Sequence, residues 1–151
     1  MYLKYIRLSL RCQQFMPYTK LIIHTDGGSR GNPGHAGCGA VLKTPEGELV
    51  GEVSHYMGHA TNNQAEYTAI VLALDKASEL GAEELEFRLD SELAVKQLKR
   101  EYKVRNKDLE KLYVMVYNRV LKFKKVTWHH IRREFNKEAD KLANDAMDRK
   151  S

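Results

Sequence analysis

Four carboxylates in this chain fall inside recognisable local patterns, and together they suit one kind of chemistry. Asp26 follows the apolar run Leu21-Ile22-Ile23-His24-Thr25 and precedes Gly27-Gly28-Ser29-Arg30-Gly31-Asn32-Pro33-Gly34. Glu66 lies near the start of a helical pattern that Thr61-Asn62-Asn63 opens. Asp90 ends the alternating run Leu85-Glu86-Phe87-Arg88-Leu89, and Asp140 lies in the first turns of a last helical pattern. Strand ends and helix starts on one rim of a sheet can converge. Four crowded carboxylates raise one another's pKa, and a hard divalent cation relieves that repulsion. An oxygen-only ligand set favours Mg²⁺ or Mn²⁺. Paired metals bridged by a carboxylate hydrolyse phosphodiesters by in-line displacement. Each acid also has an ordinary reading: Asp26 as a turn residue, Glu66 as an acid suited to the helix dipole, Asp90 as an N-cap, Asp140 as solvated surface. Those readings leave unexplained why all four sit in such patterns.

The elements that must position these acids follow from periodicity. Residues 21–26 read as a buried strand, and the Gly, Ser, Asn and Pro that follow read as a loop. Gly37–Lys43 and Glu48–Tyr56, around the turn Pro45-Glu46-Gly47, read as an antiparallel hairpin. From Gln64 to Leu80 the positions Ala65, Ala69, Leu72, Ala73, Ala77 and Leu80 recur at helical spacing, with Gly81 as the stop. After the strand ending at Leu89 come a short helix from Ser91, a helix over Asp108–Leu121, a strand over Val126–Ile131 and a helix capped by Asn136. Ala139, Leu142, Ala143, Ala146 and Met147 form its core stripe. The order β-β-β-α-β-α-α-β-α predicts an α/β fold: a mixed five-stranded sheet, its first three strands antiparallel, flanked by helices.

The 151 residues are 42% hydrophobic and 30% charged, which suits one globular domain and excludes a disordered chain. No apolar run approaches a membrane span. The formal charge is +5. Residues 1–20 hold Lys4, Arg7, Arg11 and Lys20 and no acid, so the rest carries 21 basic against 20 acidic groups, a net of +1. Any contact with nucleic acid must therefore come from local patches. Residues 1–15 are basic, acid-free and partly apolar, and Met16-Pro17 makes a sensible second start. They are expected to be a loose extension outside a domain over 16–151. Cys12 and Cys38 are no disulfide framework, so a reducing cytoplasm is the expected compartment.

The motifs together resemble type 1 ribonuclease H, in a match from about Pro17 to Lys150. They are Thr25-Asp26-Gly27-Gly28 with Gly31-Asn32-Pro33-Gly34, Thr61-Asn62-Asn63-Gln64-Ala65-Glu66, Leu89-Asp90-Ser91, and Asn136-Lys137-Glu138-Ala139-Asp140. Four ordered motifs are far more specific than any one. The resemblance implies the ribonuclease H-like fold, with Asp26, Glu66, Asp90 and Asp140 as catalytic carboxylates that bind two Mg²⁺ ions, or Mn²⁺, together with Gly27. It implies hydrolysis of the RNA strand of an RNA–DNA hybrid, leaving a 5′-phosphate and a 3′-hydroxyl. Gly28, Asn32, Asn62 and Asn63 match positions that line the minor groove. There an amide can both donate to and accept from a 2′-hydroxyl. Thr61 matches a position that holds a DNA-strand phosphate, and Ser91 joins the expected hybrid contacts. A monomer acting on hybrid, with no membrane partner, is expected.

Two departures from the family pattern stand out. Many members carry a long basic, Trp-bearing protrusion, and here Lys96–Arg105 is brief. Lys99, Arg100, Lys103 and Arg105 are either a remnant phosphate patch or a solvated charge run. Many members also carry a mobile His before the last carboxylate, and here that loop is Arg132-Arg133-Glu134-Phe135. In its place either Arg132 or Arg133 is expected to contact the scissile phosphate, or Glu134 to aid product release. His129 and His130 lie on alternate faces of a strand, so at most one could point at the site. Glu92 stands where many relatives have a polar amide, which puts one 2′-hydroxyl contact in doubt. Two rival readings remain: another ribonuclease H-like nuclease or strand-transfer enzyme, and a hybrid-binding module without catalysis.

Overall fold

The computed structural model describes residues 18–151, so the expected extension over residues 1–15 lies outside the described residues. The five strands are β1 (Lys20–Arg30), β2 (Gly34–Lys43), β3 (Leu49–Ala60), β4 (Glu84–Leu89) and β5 (Lys125–His130). The helices are α1 (Asn62–Glu79), α2 (Glu92–Leu98), α3 (Lys107–Val120) and α4 (Lys137–Arg149), with a 3₁₀ turn over Arg133–Phe135. The strands form one sheet in the order β3-β2-β1-β4-β5. β1, β2 and β3 are antiparallel neighbours, while β4 and β5 run parallel to β1. This is the expected mixed sheet of the ribonuclease H fold. Among the described residues no helix is long and apolar enough to cross a membrane.

β1 is central because both of its faces are usable. Leu21, Ile23 and Thr25 are fully buried and look toward α1. There they meet Tyr67, Ile70 and Leu74 from α1, Leu42 from β2, and Phe87 and Trp128 from β4 and β5. The Phe87 and Trp128 rings stack with centroids 4.8 Å apart. α1 lies between the sheet and α3, so it is apolar over most of its surface. That explains why Ile70, Val71 and Leu74, off the expected stripe, are as buried as Ala69 and Ala73.

One expectation fails here. β1 does not end at Asp26 in a loop. Gly27, Gly28, Ser29 and Arg30 continue the strand, paired with Cys38, Gly37, Ala36 and His35 of β2. The turn is confined to residues 31–33. Gly27 serves close packing rather than turning. A Cβ on Gly27 would stand 2.2 Å from the Ala65 carbonyl carbon, so α1 rests directly on the β1 backbone there. Opposite Asp26 in β2 sits Gly39, where a Cβ would stand 2.1 Å from the Ala139 carbonyl oxygen. α4 thus rests on β2 at that point. These two contacts bring the next residues of each helix, Glu66 and Asp140, to Asp26.

Candidate active site

Asp26 and Asp90 occupy equivalent places on adjacent parallel strands. The β1–β4 ladder ends at the pair Thr25 and Leu89, and the two acids are the next residue of each chain. Ser91, not Asp90, caps α2, accepting a hydrogen bond from the Ala94 N–H at 3.2 Å. Asp90 is thereby left out of the cap. Glu66 is set by a capping box at the start of α1. Thr61 Oγ1 accepts from Gln64 N, and Gln64 Oε1 accepts from Thr61 N. Asp140 lies in the first turn of α4, its N–H bonded to the Asn136 carbonyl at 3.1 Å.

Carboxylate oxygens of Asp26, Glu66 and Asp90 all lie within 4.8 Å of one another. Asp140 stands outside that triad but lines the same cleft, of about 480 Å³, with Gly27, Gly28, Asn62 and Arg133. Asp26 and Glu66 are nearly buried, at 8% and 9% exposure. Burial, then the neighbouring Asp90 and Asp140, pushes the Asp26 carboxyl up to about 8. Burial, then Asp26 and Asp90, pushes Glu66 well above the usual carboxyl range. The Gly27 amide works in the opposite direction on both. Glu66 Oε2 is buried without a hydrogen-bond partner. Crowded oxygen ligands, raised carboxyl pKa values and an orphaned oxygen fit a hard divalent cation. Cys38 lies close by but is inert: burial pushes its thiol up to about 12, and Sγ contacts the Ala65 carbonyl at 3.4 Å.

The remaining expected contacts divide between two places. Gly28 and Asn62 line the cleft. Asn32, Thr61 and Asn63 line a second polar pocket, of about 300 Å³, with Gln64, Asn106 and Asp108. Asn32 and Asn62 also brace the backbone. Asn62 Oδ1 accepts from Ser29 N at 2.8 Å, and Asn32 Oδ1 accepts from Asn62 N at 3.1 Å. Ser91 is occupied as a helix cap. Of the two arginines considered for the scissile phosphate, the chain brings Arg133 to the cleft. Arg132 points to another side, beside His24, Arg88 and Phe135, and pairs with Glu134 at 3.7 Å. His129 and His130 are both exposed and neither lines the cleft. Glu92 pairs with Lys96 at 3.3 Å within α2.

Several residues of these two pockets, Arg30, Asn106, Asn144 and Met147 among them, were not expected as site residues. Arg30 was hidden in a segment read as loop, and Asn106 fell between the basic segment ending at Arg105 and the helix expected from Asp108. Asn144 follows Asp140 by one helical turn, a spacing that could have revealed it. Met147 lines the cleft while belonging to the core stripe.

Comparison with known proteins agrees with this geometry. A family model described as Reverse transcriptase-like matches residues 24–146. The bifunctional protein Rv2228c of Mycobacterium tuberculosis is 45% identical over 130 residues, covering 85% of this chain and 36% of that protein. The chain thus spans about a third of the length of that relative. Ribonuclease H of Prosthecochloris aestuarii is 32% identical over 147 residues, 85% of this chain and 95% of that protein. The crystal structure of LC11-RNase H1 in complex with RNA/DNA hybrid superposes with a TM-score of 0.82 at 40% identity, covering 85% of this chain and 97% of that one. The chain belongs to the ribonuclease H family.

Proposed function

We propose that this chain hydrolyses the RNA strand of RNA–DNA hybrids, using Asp26, Glu66, Asp90 and Asp140 to hold two Mg²⁺ ions. The observation that carries the reading is the convergence of Asp26, Glu66 and Asp90 within 4.8 Å around an orphaned Glu66 oxygen. Bound divalent metal would supply an activated water and charge stabilisation at the leaving oxygen. The chain's own residues do the rest. The carboxylates would hold the metal at the sheet rim, where the reacting phosphate meets it, and the Gly27 and Gly28 backbone lets the RNA strand come close. Asn32, Asn62 and Asn63 offer amides to 2′-hydroxyls across an A-like minor groove, which discriminates RNA from DNA at the cut strand. Thr61, with Asn106 in the same pocket, holds a phosphate of the other strand. Arg133 meets the scissile phosphate in place of the family's loop histidine. Hydrolysis at the 3′-oxygen leaves a 5′-phosphate and a 3′-hydroxyl. The domain works as a monomer. A buried, unpaired Cys38 suits a reducing cytoplasm.

The test is cleavage of end-labelled hybrid, duplex DNA, duplex RNA and single-stranded RNA with Mg²⁺ and with Mn²⁺. Cutting confined to the RNA of the hybrid is the expected result. Equal cutting of duplex DNA would indicate a different nuclease of this fold, and binding without cutting a hybrid-binding module.

A further inference from the structure

Asn136 carries more than a helix cap. The sequence places it as the N-cap of α4, yet its side chain makes no capping hydrogen bond. The residue is 1% exposed. Its carboxamide Nδ2 donates instead to the Thr25 carbonyl at 2.9 Å and to Asp90 Oδ2 at 3.2 Å. Its Oδ1 is buried without a partner. Forgoing the cap bond and orphaning an acceptor both cost stability. A residue present for stability alone would be expected to do neither.

The two bonds fall where the sheet stops holding its acids. β4 leaves the ladder at Leu89, so Asp90 has no strand partner to fix it. The Asn136 carboxamide spans that gap, tying Asp90 to the main chain one residue before Asp26. The Asn136 main-chain carbonyl accepts the Asp140 N–H at 3.1 Å, and its main-chain N–H donates to the Arg133 carbonyl at 3.0 Å. One buried residue thus touches Asp90 directly and the backbone beside or at Asp26, Asp140 and Arg133.

We propose that Asn136 is a positioning residue for metal binding, one that orients the Asp90 carboxylate and sets the spacing of β1, β4 and α4. The inference rests on the carboxylate site proposed above. Hydrogen bonds that orient ligating carboxylates commonly set metal affinity, and their loss costs roughly 10- to 100-fold in affinity or activity.

The experiment compares Asn136→Ala, Asn136→Asp and Asp90→Asn with the native chain. Asn136→Asp keeps the side-chain shape while removing the donor, so it carries the test if the alanine variant folds poorly. Half-saturating Mg²⁺ for hybrid cleavage, kcat at saturating Mg²⁺, Mn²⁺ binding by calorimetry, hybrid binding in Ca²⁺ and the melting temperature are measured for each. Both Asn136 variants are expected to raise half-saturating Mg²⁺ by about 10-fold or more and to lower kcat, with hybrid affinity within about twofold of native. A lower melting temperature with native metal dependence and native kcat would overturn the inference and leave Asn136 a purely structural residue. In that event a dead Asp90→Asn variant keeps the carboxylate site standing. An active Asp90→Asn variant would remove the site itself.

Discussion

Arg100 lies over the ring of Tyr117, its guanidinium carbon 4.7 Å from the ring centroid. This cation–π contact engages one of the four basic residues considered as a phosphate patch between α2 and α3. Arg100 also has a φ of 64°, the left-handed region, and completes a Schellman turn after α2: Glu101 N bonds to Lys96 O and Arg100 N to Gln97 O. Holding a non-glycine residue there carries a backbone cost, and the contact with Tyr117 works against it. Arg100→Gly is therefore expected to be near neutral, while Arg100→Ala keeps the backbone cost and loses the contact. Denaturant midpoints should show the alanine variant about 1 kcal/mol less stable than the glycine variant. Hybrid KM should stay within about twofold for both. A large rise in KM would show that Arg100 leaves Tyr117 to bind phosphate.

The raised Asp26 carboxyl makes stability depend on pH in the metal-free protein. Its proton is held to about 8 in the folded chain, whereas an unfolded Asp loses it near about 3.9. Between those values the unfolded state binds fewer protons, so stability falls as pH rises. Below that window the contribution is fully present, and above it the loss is complete. In EDTA the melting temperature should be lower at pH 8 than at pH 5. Asp26→Asn should flatten that slope, raise the melting temperature at pH 8 and abolish hydrolysis, because an amide lacks the charge that holds metal. Added Mg²⁺ should stabilise the native chain more at pH 8 than at pH 5. The idea fails if Asp26→Asn leaves the slope unchanged.

Substrate grip should be weak. Residues 99–106 alone separate α2 from α3, so no basic protrusion stands there. Arg100 is engaged with Tyr117, and Lys96 with Glu92 and the Tyr102 ring. Lys99, Lys103 and Arg105 remain exposed. Each phosphate contact adds about one unit to the salt slope of binding, and few cations are placed to make one. High KM and distributive cleavage are expected. A basic helix grafted between Arg100 and Asn106 should lower KM with little change in kcat, as uniform binding does. A KM series across salt, with and without the graft, checks this. Tight native binding with a steep slope would mean that another surface already supplies the grip.

Removing residues 1–15 should leave the melting temperature and specific activity nearly unchanged. The core described from residue 18 onward closes around Leu21, Ile23, Phe87 and Trp128, with Tyr18 packed against it. The Tyr18 carbonyl already accepts the Glu83 N–H at 3.2 Å. Thermal melts and hybrid cleavage of the shortened chain test this. A shortened chain that fails to fold would place Leu8, Leu10 or Phe15 in the core.

The element order and the four acids were legible in the sequence because local patterns carry them. Alternation marks β4, Thr61-Asn62-Asn63 marks the start of α1, and the apolar spacing of Ala139, Ala143 and Met147 marks α4. Such patterns report backbone conformation and which face is apolar. They do not report what lies across the sheet. Gly27 and Gly28 read as a loop because glycine serves turns and close packing alike; only the pairing with Cys38 and Gly37 shows both to be strand, and only the approach of Ala65 shows what the missing side chain of Gly27 allows. Arg132 and Arg133 are neighbours of one type, yet only Arg133, the first residue of the 3₁₀ turn, lines the cleft. Asn136 precedes a helix as any cap would, yet its partners are 111 and 46 residues away in sequence. Sequence by itself determined which residues could do the chemistry. Strand register and the seating of two helices on Gly27 and Gly39 decided which of them meet, because those contacts join segments that no local pattern links.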